Sequence, residues 1–162
     1  MRLYLMRHGK AEFGPEDADR RLSVRGREDV SAVAAYLGGQ DIAVSKVVHS
    51  TLARARETAE IVSAQIAPTI VLEEMDGIEP WGNVKAFASV AETWTDDTLV
   101  CGHEPFMGEA ASYLLTGNPH GGLVEVKTGS IMSLSRGPYG DGWQLRWMMG
   151  PRLVRGAKKE ED

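Results

Sequence analysis

Apolar residues along this chain follow two rhythms that alternate for two thirds of its length. The first is the short unbroken run, beginning with Leu3, Tyr4, Leu5 and Met6, which reads as a buried strand. The second is helical spacing. Val30, Val33, Ala34 and Leu37 stand at i, i+3, i+4 and i+7 and predict one apolar helix face, which Gly38-Gly39 ends. The alternation then repeats. Residues 46–49 predict a strand. Ser50-Thr51 offers a cap, and Ala55, Thr58, Ala59, Val62 and Ile66 form the next helix face. Pro68 follows that stop, and residues 69–72 predict a third strand. Val84, Phe87, Ala88 and Ala91 return to helical spacing, and residues 98–101 form a fourth apolar run. Pro105 suits a helix's first position, ahead of the face Phe106, Ala110, Ala111 and Leu114. Gly117-Asn118-Pro119 breaks that helix.

Beyond residue 120 only strand-like runs remain, at 123–126, 131–134 and 143–148, with 138–142 as a hairpin loop. Two polar stretches interrupt the pattern. Residues 10–21 predict a surface loop long enough to cover a site, and residues 73–82 form an acidic loop containing Pro80-Trp81-Gly82. Alternating strands and helices followed by strands predict an α/β fold. The expectation is a three-layer α/β/α sandwich with a mostly parallel central sheet and an antiparallel edge. No repeat or linker divides it, so residues 1–155 are expected to form a single domain, with 156–162 a frayed charged tail.

Composition narrows the class. The 162 residues carry a formal charge of −5, which argues against general nucleic-acid binding but leaves room for a local basic pocket. Cys101 is the only cysteine, so no internal disulfide is possible, and its apolar run predicts a core position. No apolar stretch reaches membrane-spanning length, and the first residues lack the pattern of a secretion signal. A cytoplasmic protein is the expectation.

Chemistry enters where strands end. Ligands of open α/β sheets gather outside the carboxyl ends of the strands. Arg7-His8-Gly9 follows the first strand, Ser50 to Arg54 the second, and Gly102-His103-Glu104 the fourth. For Arg7 and His8 to reach one pocket the chain must bend, and Gly9 is expected to supply the freedom. Two arginines and two histidines would then share one rim with helix N-termini, an arrangement suited to phosphate oxygens.

Together, Arg7-His8-Gly9, the run from Ser50 through Arg54-Ala55-Arg56-Glu57-Thr58-Ala59, and Gly102-His103-Glu104-Pro105 resemble the three signatures of the histidine phosphatase superfamily, the phosphoglycerate mutase-like group. Within it, Arg7-His8-Gly9-Lys10-Ala11-Glu12, and Arg21-Leu22-Ser23 with Gly26-Arg27, resemble the small SixA-type phosphohistidine phosphatases. The resemblance implies catalytic residues His8, Arg7, Arg54 and His103. His8 would accept the phosphoryl group. Arg7, Arg54 and His103, with Gly9 beside them, would hold the substrate's phosphate as two guanidiniums and an imidazolium. It implies no metal and no cofactor. A phosphorylated protein histidine is the implied substrate and partner. A small phosphate ester or nucleoside phosphate is the alternative, and a phosphate- or phosphoprotein-binding module without turnover is the other. Many relatives protonate an alkoxide leaving group with a carboxylic acid. Here Glu74, Asp76 and Glu79 offer no single candidate, which suits imidazole as a leaving group.

Other singled-out residues have plainer readings. Lys10 and Arg56 add charge near the mouth or are solvated. His49 and His120 read as satisfied loop histidines, and the scattered histidines match no zinc-ligand spacing. Gly121-Gly122 lacks the helix and lysine of a phosphate-binding loop. Trp81, Trp94, Trp143 and Trp147 read as packing, with Trp81 placed to line the mouth.

Overall fold

A computed structural model describes residues 1–140 and 142–156. The expected tail, apart from Gly156, and Asp141 of the expected hairpin loop lie outside the described residues. In chain order the elements are β1 (Arg2–Arg7), α1 (Val24–Gly38), β2 (Lys46–His49), α2 (Ala53–Ile66), β3 (Glu73–Glu74), α3 (Val84–Ala91), β4 (Thr98–Gly102), α4 (Phe106–Thr116), β5 (Ile131–Arg136), β6 (Trp143–Met149) and α5 (Pro151–Arg155).

The six strands form one sheet in the order β3-β2-β4-β1-β5-β6. The first four positions pair in parallel, while β1–β5 and β5–β6 are antiparallel. This is the mixed sheet that the alternation predicted. Its layers follow from the two-residue period of the central strand. Leu3 and Leu5 enter one core with Val100, Phe87, Ala88, Phe106 and Ala110, beneath α3 and α4. Tyr4 and Met6 enter the other, with Val30, Val33, Leu37, Val47 and Ala59, beneath α1 and α2. Cys101 is wholly buried there. Local signals set the helix ends. Ser23 Oγ accepts from Gly26 N at 3.0 Å, Asn83 Oδ1 accepts from Ala86 N at 3.0 Å, and Gly117 closes α4 at a φ of 78°.

Two expected strands are corrected. Residues 69–72 do not join the sheet, because the chain is still leaving a turn in which Ile70 N donates to Ala67 O. Ile70 and Leu72 pack inward and Val71 is exposed, but pairing with β2 begins only at Glu73. Residues 123–126 form no strand either. Both edges of β1, the strand whose end this run approaches, are already taken by β4 and β5. The run crosses above the carboxyl end of β1 instead, with Val126 buried and Leu123 exposed. Helix α5 and a 3-10 turn at Asp17–Asp19 were not expected from the pattern.

Candidate active site

Parallel pairing sets Arg7 opposite Gly102, and His8 N donates to Gly102 O at 2.9 Å. The first and third motifs are thus joined by backbone alone. His8 and His103 stand with ring centroids 5.0 Å apart, both buried. The His8 Nδ1–H donates to the carbonyl of Gly9 at 2.6 Å, since a carbonyl can only accept. That fixes the tautomer and leaves Nε2 with an unengaged lone pair.

Thr58 ties the second motif to the first. Its hydroxyl accepts from Gly9 N at 3.1 Å and donates to Arg54 O at 2.8 Å. Gly9 is required for space, not for conformational freedom. Its φ is not positive, but a Cβ there would lie 2.6 Å from Val30 Cγ2 and 2.9 Å from Gly26 O. Gly26 in turn meets Lys10, whose carbonyl would sit 2.0 Å from an added Cβ. The buried carboxylate of Glu57 draws the segment ahead of α1 toward the second motif. It accepts from Arg21 Nη1 at 3.0 Å, Leu22 N at 2.9 Å and Arg27 Nη2 at 3.4 Å.

All four expected side chains meet at this rim. Arg7 Nη1 donates to Val126 O at 2.8 Å, and its buried Nε has no partner among the described residues. Arg54 is buried, donating through Nη1 to Asp17 O at 2.9 Å and through Nη2 to Asp17 Oδ2 at 3.3 Å. Burial pushes His8 down to about 4, and the Arg54 and Arg7 charges push the same way. Burial, His8 and both arginines bring His103 down to about 3. Both shifts favour a neutral ring at neutral pH, whereas the imidazolium expected at His103 concerns a ring facing a bound phosphate.

The expected cap at Ser50-Thr51 is corrected. Leu52 stands at the cap of α2 and offers no side-chain cap itself; Ser50 Oγ accepts from Leu52 N at 3.3 Å but reaches none of the helix's following amides. Ser50 Oγ lies 2.5 Å from His103 Nε2, and Thr51 Oγ1 donates to Glu79 Oε1 at 2.8 Å. Among the three acidic candidates, Glu74 and Asp76 are exposed. Glu79 is buried. Burial alone would raise its pKa, but hydrogen bonds from Thr51 and the Gly77 amide outweigh this and hold it below the usual range. Lys10 is exposed, Arg56 pairs with Glu60 on the outer helix face at 3.2 Å, and Trp81 is exposed. His49 is buried, its Nδ1 donating to Ser50 O at 2.8 Å, while His120 is exposed.

Sequence reasoning missed Asp17 and Arg20. The expected loop carries both to the rim. Arg20 Nη1 lies 3.1 Å from Asp17 Oδ1, Arg20 Nε donates to Glu12 O at 2.8 Å, and the Arg20 charge is felt at His8. Arg21, the arginine of the motif ahead of α1, turns away to Glu57. No periodicity marks Asp17 or Arg20; the Ala11–Leu22 bridge closes the loop that holds them. Among the described residues no group of three His, Cys, Asp or Glu side chains is placed to hold a metal ion. No helix there is long and apolar enough to cross a membrane.

Comparison with known proteins agrees with this geometry. Residues 3–81 match the model of the histidine phosphatase superfamily, branch 1. An uncharacterized protein of Picosynechococcus sp. is 34% identical over 85% of this chain and 86% of its own length. The phosphohistidine phosphatase SixA of Escherichia coli is 26% identical over 98% of this chain and 99% of its own. A solved structure of the protein histidine phosphatase SixA complexed with tungstate superposes with a TM-score of 0.82 at 25% identity, covering 95% of this chain and 99% of that one. The fold, the meeting of three motifs at one rim and these relatives lead to one conclusion: the chain belongs to the histidine phosphatase superfamily and is a phosphatase of the SixA type.

Proposed function

We propose that the chain hydrolyses phosphohistidine on a protein through a covalent intermediate on His8. The observation that carries this is the His8 ring: Nδ1–H is committed to Gly9 O, and Nε2 keeps a free lone pair in a neutral imidazole. Nε2 attacks phosphorus, the bond from phosphorus to the departing imidazole nitrogen breaks, and that nitrogen takes a proton from solvent. Water then attacks the phosphorus on His8, releasing inorganic phosphate and the original imidazole. Charge on the equatorial oxygens is met by Arg7, Arg54 and an N–H of His103. Arg7 Nε–H, a donor, and His103 Nδ1 have no partner among the described residues, and a phosphate oxygen would accept from the first and, where it carries a hydrogen, from the second.

The leaving group follows from the acidic loop. Glu74 and Asp76 are exposed, and Glu79 is an ionised acceptor for Thr51 and Gly77. None is poised to protonate an alkoxide, whereas imidazole departs with less help. The relative named phosphohistidine phosphatase SixA, and the tungstate in the solved SixA complex, support an oxyanion chemistry of this kind. The test is brief exposure of the protein to a labelled phosphodonor, with mapping of an acid-labile, base-stable adduct. Label on His8, lost in His8→Ala, is expected. A panel of phosphohistidine peptide, aryl phosphate and nucleoside monophosphate is expected to favour the peptide. Preference for the esters would replace this substrate, and tight phosphate binding without any adduct would leave a binding module.

A further inference from the structure

Ser50 is wholly buried between β2 and α2. Its backbone is held on both sides: its N–H donates to Cys101 O at 3.1 Å, and its carbonyl accepts from His49 Nδ1 at 2.8 Å. The hydroxyl is therefore brought to one place. There it accepts from Leu52 N at 3.3 Å and lies 2.5 Å from His103 Nε2.

A serine hydroxyl has one hydrogen and two lone pairs. Leu52 takes one lone pair, so two assignments remain for the contact with Nε2. In the first, Nε2–H donates to Ser50. The hydroxyl then accepts twice, and its own hydrogen has no acceptor among the described residues. His103 Nδ1, buried and without a partner among the described residues, would also turn a bare lone pair toward an anion-binding site. In the second, the hydroxyl donates to Nε2. Every polar group of Ser50 is then paired, as buried groups require, and the hydrogen of His103 sits on Nδ1.

We propose that Ser50 is a positioning residue that fixes His103 in its Nδ1–H tautomer and so makes this ring a hydrogen-bond donor to the phosphoryl oxygens. The tautomer stands on the hydrogen-bond geometry; the identity of the acceptor rests on the phosphatase reading. The two rings are thereby used in opposite ways. His8 commits its Nδ1–H to the backbone and presents a lone pair. His103 receives a hydrogen at Nε2 and presents an N–H. Two neutral imidazoles 5.0 Å apart become a nucleophile and a donor because their outer nitrogens meet a carbonyl in one case and a hydroxyl in the other.

The decisive measurement is a two-bond 15N–1H correlation on histidine-labelled protein at neutral pH. For His103 it is expected to show a protonated Nδ1 and an unprotonated Nε2. In Ser50→Ala the pattern is expected to move toward the Nε2–H form. That variant is also expected to lose about 10- to 100-fold in kcat on an aryl phosphate, with KM changed less than about 3-fold. Ser50→Thr, which keeps the hydroxyl, is expected to restore most of the rate. An Nε2–H tautomer in the native protein overturns the proposal without recourse to any variant, as does an unchanged tautomer in a folded Ser50→Ala. An Nδ1–H tautomer in a protein that forms no adduct on His8 upholds the role of Ser50 in setting the ring while removing the phosphatase mechanism.

Discussion

The inner wall of the site and the loop that closes over it are built on different physics. On the wall, His8, Ser50, Thr58 and His103 are all buried, and each is held by backbone groups or by a neighbour that is itself held. The loop at residues 12–21 is largely exposed and is secured at the rim by Asp17 on Arg54 and by Arg20 on Asp17 and Glu12. The Arg20–Asp17 pair, partly exposed on both sides, is of a kind that contributes only ~0–1 kcal/mol, while a buried donor that loses its partner costs about 1–3 kcal/mol. The wall therefore sets which chemistry is possible, and the loop adjusts how an anion reaches it. Asp17 makes the contrast sharp, because its carboxylate already lies on the guanidinium expected to hold phosphate.

The comparison breaks most readily at Arg54. Arg54→Ala is expected to lower kcat/KM by about 10²–10³, the usual loss for a donor aimed at developing charge. Steady-state kinetics with a phosphohistidine peptide checks this, and a loss under about tenfold would remove Arg54 from the groups that hold phosphate. Packing comes next. Gly9→Ala forces a Cβ to within 2.6 Å of Val30 and 2.9 Å of Gly26 O, and is expected to destabilise the fold by about 1–3 kcal/mol. Denaturant melts measure it, and a change within error would mean that the close approach relaxes freely.

Acid acts on the wall more gradually. His8 and His103 have folded pKa values pushed down to about 4 and about 3 from 6.5. The unfolded chain thus binds protons first as pH falls. Their contribution to stability is fully present above 6.5 and declines as pH falls from 6.5 through about 4 for His8 and about 3 for His103. Melting temperatures across that window test the decline, and an NMR titration of His8 is expected to have its midpoint near 4. A midpoint at 6.5 or above would place the ring in water. The smallest effect belongs to the loop. Asp17→Asn removes a negative charge beside Arg54, so KM for an anionic substrate is expected to fall by up to about fivefold with kcat little altered. A large fall in kcat would instead make Asp17 part of the wall.

Much of the site is legible in the sequence alone. Arg7, His8, Arg54 and His103 stand out by their positions at strand exits and by three ordered motifs, and they meet. What escapes such a reading is the reason for several neighbouring residues. Gly9 has the look of a hinge, and is a gap that α1 fills. Ser50 and Thr51 have the look of a helix cap, and are bonded to His103 and Glu79. Glu57 carries no signal beyond its motif, yet it gathers Arg21, Leu22 and Arg27 across 30 or more residues of chain. Hydrogen bonds between distant segments leave no trace in periodicity. Residues 69–72 and 123–126 have the composition of strands, but composition does not bring a run into register beside an edge: the first is still leaving a turn, and the second crosses the end of β1.

Periodicity along the chain was enough to specify strands, helices and their alternation, since the two rhythms of burial are properties of local backbone geometry. Strand-exit motifs were enough to place four cationic or imidazole side chains on one edge of a parallel sheet. Which tautomer each histidine holds, which carboxylate covers Arg54 and which apolar run stays out of the sheet were decided only on folding. Each depends on what a second, remote segment offers as donor, acceptor or free edge, and that is not written at the position itself.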